Sequence, residues 1–136
     1  KEGEDIGADE EKILTKHYDV PFHLTHFPTG VKPFYHKQDP KEPETTLSSD
    51  MLAPEGYGEI IGSGVRISDY EELMRRIDEQ KLDVSSYQWY VDLRKWGSTP
   101  HSGFGLGIER FVMWTCKLEH VREAIAFPRF INRVTP

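Results

Sequence analysis

The sequence is short of cysteine, of basic residues and of long apolar runs. Only one cysteine, Cys116, occurs among 136 residues, which excludes an internal disulfide and a cysteine-rich zinc site. Lysine and arginine total 17 against 23 aspartate and glutamate, for a formal net charge of −6, so bulk positive charge cannot bind nucleic acid here. No apolar run approaches the roughly 20 residues that a membrane-spanning helix needs. We therefore expect no membrane contact and a location in the reducing cytoplasm.

The amino-terminal stretch also lacks the features of a leader. It is acidic, whereas a secretory signal is basic and then apolar, and the sequence does not begin with methionine. We therefore expect a piece of a longer protein. The composition still suits a folded domain, because 37% of the residues are hydrophobic and 12% are aromatic. A chain of this length buries roughly two thirds of its unfolded surface.

Hydrophobic periodicity and turn residues predict short strands interspersed with helices. Strands are predicted at 20–28, 32–37, 50–54, 56–68 and 103–108. Helices are predicted at 9–18, 70–80, 84–96 and 109–118, with Asp9, Asp69 and Asp83 at three of their starts. The proline-containing stretch 37–49 is predicted to be a solvated loop inside one domain. Because strict strand–helix alternation is missing, the pattern favours an α+β fold with a mostly antiparallel sheet flanked by helices, over residues 1–136.

The segment 103–110 alternates glycine with apolar residues and then enters a predicted helix. Gly103, Gly105 and Gly107 leave one strand face without side chains, and a flat heterocycle could lie on that face. Arg110 falls in the first helical turn, where the positive helix end disfavours a cation. An anionic ligand, above all a phosphate, would relieve this conflict. The alternative is a glycine strand packed under an aromatic ring, with Arg110 exposed.

A second segment, 59–67, combines a carboxylate, two glycines and an arginine. Regular alternation places Glu59 and Arg66 on opposite faces, whereas a bulge at the glycines would bring them to the same side. A carboxylate beside small residues can hold Mg²⁺ together with phosphate oxygens. An arginine fork can bind a carboxylate or a carbonyl through two hydrogen bonds. The alternative is a structural Glu–Arg pair on the sheet.

Other polar residues give weaker signals. A lone aspartate such as Asp50, at the edge of a strand, is usually solvated. The six histidines are scattered and form no metal triad. Ser63 has no histidine at an informative spacing, so we predict no hydrolase triad. Cys116 falls on the apolar side of a predicted helix, which predicts a buried and inert thiol.

Together these segments resemble the later part of the catalytic domain of a class II aminoacyl-tRNA synthetase of the aspartate/asparagine/lysine subgroup. GFGLGIERFVMW resembles motif 3 of that class, and GEIIGSGVRI resembles the subgroup's strand before its insertion helices. The spacing of 44 residues from Arg66 to Arg110 also fits the subgroup. Three further stretches look most like its asparagine-specific members: HLTHFPTGVKPFY, WYVDLRKWGSTPHSGFGLG and AFPRFINRVTP.

The resemblance implies ATP and Mg²⁺ as cofactors, with ATP at the glycine-rich strand. Arg110 would contact the γ-phosphate and act as a catalytic residue. Gly107, Ile108 and Glu109 would border the nucleotide.

The resemblance also implies a metal site and an amino-acid site. Glu59 would bind Mg²⁺ and the phosphates as a second catalytic residue, and Asp50 resembles the other acidic position. Arg66 would hold the side chain of the substrate amino acid. Gly62 and Ser63 would line that pocket.

The implied reaction is activation of asparagine by ATP to an aminoacyl-adenylate, followed by transfer to tRNA(Asn). The 136 residues contain neither motif 1 nor motif 2 of the class, nor its anticodon-binding domain. We therefore expect the piece alone to be inactive and to pack against the rest of a longer protein or another copy, with the full-length enzyme a homodimer. Three alternatives stay open: a related asparagine synthetase that amidates aspartate, an aspartyl-tRNA synthetase, and a non-catalytic fragment.

Overall fold

The computed structural model describes residues 6–135 and contains short strands and helices in the predicted mixture. The strands are β1 (Phe22–Thr25), β2 (Ser48–Ala53), β3 (Gly58–Val65) and β4 (Ser102–Leu106). The α-helices are α1 (Ala8–Thr15), α2 (Tyr70–Glu79), α3 (Gln88–Lys95) and α4 (Ile108–Thr115), and single 3₁₀ turns lie at Val84–Tyr87 and Val121–Ala124. The strands form one antiparallel sheet in the order β1-β2-β3-β4, which confirms the predicted α+β class.

The described residues divide into two compact units. The first unit contains Thr25–Ser49 and Ser63–Phe104, and the second contains Ile6–Leu24, Asp50–Gly62 and the residues from Gly105 onward. The divisions fall within the strands, so each unit holds part of the sheet.

The core of the first unit lies against α2 and α3. Its buried members are Phe34, Ile67, Leu73, Ile77 and Val91. The helix α2 begins at the predicted cap, because the side chain of Asp69 accepts a hydrogen bond from the backbone N–H of Glu72 (2.8 Å). Leu73 and Ile77 are one turn apart and both fully buried, as expected for an amphipathic helix.

In the second unit, a tight turn joins β2 to β3. Gly56 and Gly58 have φ angles of +87° and +77°, a region that favours glycine because a Cβ clashes there. The side chain of Glu11 in α1 accepts a hydrogen bond from the backbone N–H of Glu59 (3.1 Å). The helix α1 therefore holds the beginning of β3, the strand that carries Glu59.

The predicted strand at 32–37 is wrong. The backbone N–H of His36 donates to the carbonyl of Pro33 (3.0 Å) and closes a turn. His36 then forms a single antiparallel bridge with Arg66. Proline cannot donate to a strand ladder, and the apolar side chains of this turn pack in or against the core.

Several element boundaries also differ from prediction. The first helix begins after Gly7 rather than at Asp9, and the strand predicted at 20–28 is reduced to β1. The loop predicted at 37–49 is partly buried, since Thr46 and Ser48 are almost inaccessible. The hydroxyls of these two residues are 2.7 Å apart, and such a hydrogen bond is what makes their burial tolerable.

Candidate functional site

Two carboxylates of the second unit approach Gly62. A Cβ built on Gly62 would lie 2.8 Å from Oε1 of Glu59 and 3.7 Å from Oδ1 of Asp50. Asp50 is buried on β2, and Glu59 is half-buried on β3. The missing side chain at Gly62 leaves the space that the Glu59 carboxylate occupies.

Arg110 is hydrogen-bonded to the part of β3 that carries Glu59. It lies in the first turn of α4, as predicted, and its Nη1 donates to the backbone carbonyl of Glu59 (2.8 Å). Gly107 precedes the helix, Ile108 is 67% exposed, and Glu109 and Arg110 are exposed beside it. A guanidinium carries five N–H donors, so one bond to a carbonyl leaves donors for an anion.

A cavity of about 500 Å³ opens on the second unit. It is lined by residues of α1, the β2–β3 turn, α4 and the loop after α4, and Arg110 is one of its lining residues. Neither Glu59 nor Asp50 lines it. Because both carboxylates lie outside this cavity, we do not assign the phosphate and metal site to it.

In the first unit, the side chain of Arg66 lies in a slot between three residues. Its Nη1 is 3.2 Å from Nε2 of His36, and its Cζ is 4.9 Å from the centre of the Tyr35 ring. A Cβ on Gly103 would lie 3.0 Å from Nη2 and 3.1 Å from Nε. The backbone N–H of Arg66 donates to the carbonyl of His101 (2.9 Å). The guanidinium is therefore fixed from several sides, as recognition of a planar group requires.

Ser63 also lies in the first unit. Its hydroxyl donates to the backbone carbonyl of Ser49 on the neighbouring strand. The hydroxyl proton is therefore engaged with the sheet, and the oxygen keeps its capacity as an acceptor.

The sequence predicts a role for Arg66 but does not reveal the neighbours that hold its side chain. The sequence predicts a separate strand that includes residues 35 and 36, whereas they lie in a turn that brings both rings to Arg66. Two glycines are the signal that could have found them. A Cβ on Gly64 would lie only 2.4 Å from Nδ1 of His36, and Gly103 makes the corresponding space for Arg66.

The donor set of the second unit suits Mg²⁺ only in part. Among residues 6–135, no group of three or more His, Cys, Asp or Glu side chains is arranged to hold a metal ion. Mg²⁺ commonly uses one or two protein carboxylates and completes its shell with water and substrate phosphates. The two carboxylates near Gly62 fit that pattern when a phosphate ligand is present.

Two further observations concern Cys116 and the lengths of the helices. Cys116 was predicted to be buried, and this is wrong: it is the residue that ends α4, and it is exposed. In the described part of the chain, no helix has both the length and the apolarity that crossing a bilayer requires.

Comparison with known proteins gives a family match over most of the chain. The family described as class II tRNA synthetases (D, K and N) matches residues 2–131. The asparagine–tRNA ligase of Thermoplasma acidophilum is 57% identical over 136 residues, which are all of this chain and 32% of that protein. The chain thus spans about a third of the length of the curated relatives it matches.

Solved structures share the fold. Asparaginyl-tRNA synthetase from Pyrococcus horikoshii, crystallised with asparaginyl-adenylate, matches with a TM-score of 0.95 and 54% identity over 100% of this chain and 31% of its own. Aspartyl-tRNA synthetase from Entamoeba histolytica matches with a TM-score of 0.89 and 30% identity, over 100% of this chain and 29% of its own. The fold is therefore common to both specificities, and the identity is higher to the asparagine enzyme.

Proposed function

Because this chain belongs to the class II tRNA synthetases of the aspartate, lysine and asparagine type, we propose that residues 1–136 are the later part of the catalytic domain of an asparagine–tRNA ligase. One observation carries the proposal: 54% identity over the whole chain to an enzyme whose structure holds asparaginyl-adenylate. The 30% identity to an aspartyl enzyme is the weaker match.

The proposed reaction has two steps, and positioning and charge stabilisation supply most of its catalysis. The asparagine carboxylate attacks the α-phosphorus of ATP, the bond to the β-phosphate oxygen breaks, and asparaginyl-adenylate and pyrophosphate form. The 3′-terminal adenosine of tRNA(Asn) then takes the asparaginyl group and releases AMP. The attacking and leaving groups are already reactive, so the protein must align them and stabilise the developing charge.

We propose that ATP binds beside the start of α4. The exposed guanidinium of Arg110 would hold the γ-phosphate, with its Nη1 bond to the Glu59 carbonyl fixing the side chain (2.8 Å). Backbone N–H groups at a helix start and an arginine fork both favour a phosphate. Gly107, Ile108 and Glu109 would border the nucleotide.

Glu59 and Asp50 would hold Mg²⁺ with the phosphates of ATP. Their approach to the same glycine supports this assignment. The ion, when bound, neutralises charge on the phosphates as pyrophosphate leaves.

The amino acid would bind through its side chain to Arg66, with Ser63 of the same unit lining the pocket. The slot made by His36, Tyr35 and Gly103 supports this role, because it holds the guanidinium in one orientation. A fixed fork can donate two hydrogen bonds to the amide oxygen of asparagine. It would also accept an aspartate carboxylate, so the substrate assignment needs its own test.

We further propose that the chain works within a longer, homodimeric enzyme in the cytoplasm that binds tRNA(Asn) through other regions. The length of the relatives supports a longer protein, since the chain spans 32% of one of them. Apolar side chains of the second unit, Leu106, Ile108 and Phe111, are exposed. β4 is the last strand of the sheet order, and an unpaired edge normally needs cover.

Amino-acid-dependent ATP–pyrophosphate exchange tests the function directly. We would run this chain and its full-length parent in parallel, with asparagine and then aspartate, each with and without ammonia. Exchange with asparagine in the parent alone is expected.

Three other results would contradict the proposal in different ways. Exchange with aspartate that charges tRNA would indicate an aspartyl enzyme. Free asparagine formed from aspartate and ammonia would indicate the amidating enzyme. No exchange with either amino acid would leave a non-catalytic protein and would remove the site roles as well.

A further inference from the structure

Arg66 has a neutral partner where arginines on sheets often have a carboxylate. The partner is the ring of His36, which is 6% exposed, with Nε2 3.2 Å from Nη1 of Arg66. Arginine has only donors and does not lose its proton in proteins. We assign Nη1 as the donor and Nε2 as the acceptor of this hydrogen bond, which corresponds to a neutral ring with its proton on Nδ1.

The two side chains are held next to each other by the backbone. A single antiparallel bridge joins His36 to Arg66, and the ring of Tyr35 lies 5.0 Å from that of His36. Gly64 makes space for the imidazole, since a Cβ there would lie 2.4 Å from Nδ1. A residue with any side chain at that position would displace the ring and break the contact with Arg66.

This arrangement has a consequence for the charge and the donors of Arg66. A neutral acceptor fixes Nη1 without cancelling the positive charge, so the guanidinium keeps its full charge. Of the four N–H donors that remain, the three on Nη2 and Nε lie next to Gly103, since a Cβ built there would be 3.0 Å from Nη2 and 3.1 Å from Nε. A carboxylate in place of the imidazole would compete with the ligand for the same charge.

We propose that His36 is the positioning residue of the amino-acid site: its neutral ring accepts a hydrogen bond from Arg66 and holds the guanidinium in the orientation that binds the substrate side chain. The inference rests on the proposed function, since it deepens the role of Arg66 there. His36 itself does not touch the reacting atoms. Its loss should therefore affect asparagine binding and leave the ATP site intact.

The test compares His36→Gln with His36→Leu in the full-length protein. A glutamine can place its amide oxygen near the position of Nε2, whereas leucine offers no acceptor. In ATP–pyrophosphate exchange, we expect leucine to raise the KM for asparagine by about tenfold or more, the factor for a lost hydrogen bond to a charged group. The KM for ATP should stay near that of the wild type, and glutamine should restore most of the asparagine affinity.

Two results would overturn the proposal. One is an unchanged asparagine KM in His36→Leu. The other is an equal loss of activity in the Leu and Gln variants, in which the KM values for asparagine and ATP both rise and the melting temperature falls. That pattern would show that His36 has a structural role only. If His36→Leu does not fold, His36→Asn replaces it, since its amide oxygen stops short of the Nε2 position. Equal asparagine KM values for the Asn and Gln variants would then contradict the proposal.

Failure of the proposed function gives a different result. Wild-type exchange with aspartate alone would refute the asparagine assignment, and the same variants would then be compared by their aspartate KM. If no exchange occurs with either amino acid, calorimetry replaces the exchange assay. It measures the binding of L-asparagine and L-aspartate to the wild type and to the variants. If neither amino acid binds the wild-type protein, both the proposed function and the role of His36 fall.

Discussion

Adding one methyl group at Gly103 should weaken asparagine binding without weakening the fold. In Gly103→Ala, the new Cβ would lie 3.0 Å from Nη2, 3.1 Å from Nε and 3.3 Å from Cζ of Arg66. These distances are a few tenths of an ångström below ordinary contact, so the guanidinium must move. The rings of His36 and Tyr35 on its other sides restrict where it can go.

The expected change in the asparagine KM follows from the poorer alignment of the hydrogen bonds that Arg66 donates to the substrate. A hydrogen bond to a charged group contributes about 1.5–3 kcal/mol, and a misaligned one retains part of that. We expect a loss of about 1–2 kcal/mol, which is a factor of about 5–30 in the asparagine KM. The stability should hardly fall, because replacing glycine by alanine also restricts the unfolded chain and contributes about 0.4–1 kcal/mol to the folded state.

The assay is asparagine-dependent ATP–pyrophosphate exchange at saturating ATP, with a thermal melt of each variant. Gly30→Ala is the matched control, because it adds the same methyl in the same unit, outside the proposed ATP and amino-acid sites, and its Cβ meets nothing within 4 Å. Its asparagine KM should equal that of the wild type. If Gly103→Ala also keeps the wild-type KM, then the guanidinium of Arg66 does not hold the substrate from this slot, and the reasoning is refuted.

Three further predictions concern single side chains of the full-length protein. Arg110→Ala should weaken the use of ATP by about 2–4 kcal/mol because it removes a charge-assisted phosphate contact; pyrophosphate exchange at the wild-type rate would exclude that contact. Arg66→Lys should raise the asparagine KM by about tenfold or more, since an ammonium cannot reproduce the planar fork; near-normal asparagine affinity would argue against the role. The hydrogen bond from Arg76 (2.8 Å) is the main cause that holds the pKa of Glu79 below its ordinary value. Because that pKa is lower in the folded than in the unfolded state, Glu79 stabilises the fold above the unfolded carboxylate pKa of about 4.3, and the effect disappears as the pH falls through the folded-state pKa. The carboxylate side chain is 41% exposed, so Glu79→Gln should cost only about 0.2–1 kcal/mol at pH 7; thermal melts that differ equally at pH 7 and at strongly acidic pH would contradict this.

Local sequence signals predicted the elements that depend on neighbours in the chain. The strands predicted at 50–54 and 56–68 correspond to β2 and β3, and Asp69 caps α2 as predicted. The glycine-rich strand and the helix that begins beside Arg110 were also confirmed. Each of these signals acts over a few residues, through a cap, a positive φ or one helical turn, so the sequence displays it directly.

Predictions that depended on burial were less successful. The sequence predicts a strand at 32–37, but the structure has a turn there that supplies Phe34 to the core. The apolar side of α4 suggested a buried Cys116, yet this thiol is exposed. Periodicity shows which residues share a face. It does not show what covers that face.

The sequence by itself determined the family, the order of the segments and the residues that could carry chemistry: Glu59, Arg66, Arg110 and, less clearly, Asp50. Only the tertiary structure decided which side chains meet. It brought Asp50 and Glu59 to the same glycine in the second unit. In the first unit it placed His36 against Arg66, 30 positions away in the chain. Such contacts depend on how strands pair and on their register, and these are set by packing across the whole sheet rather than by any local run of residues.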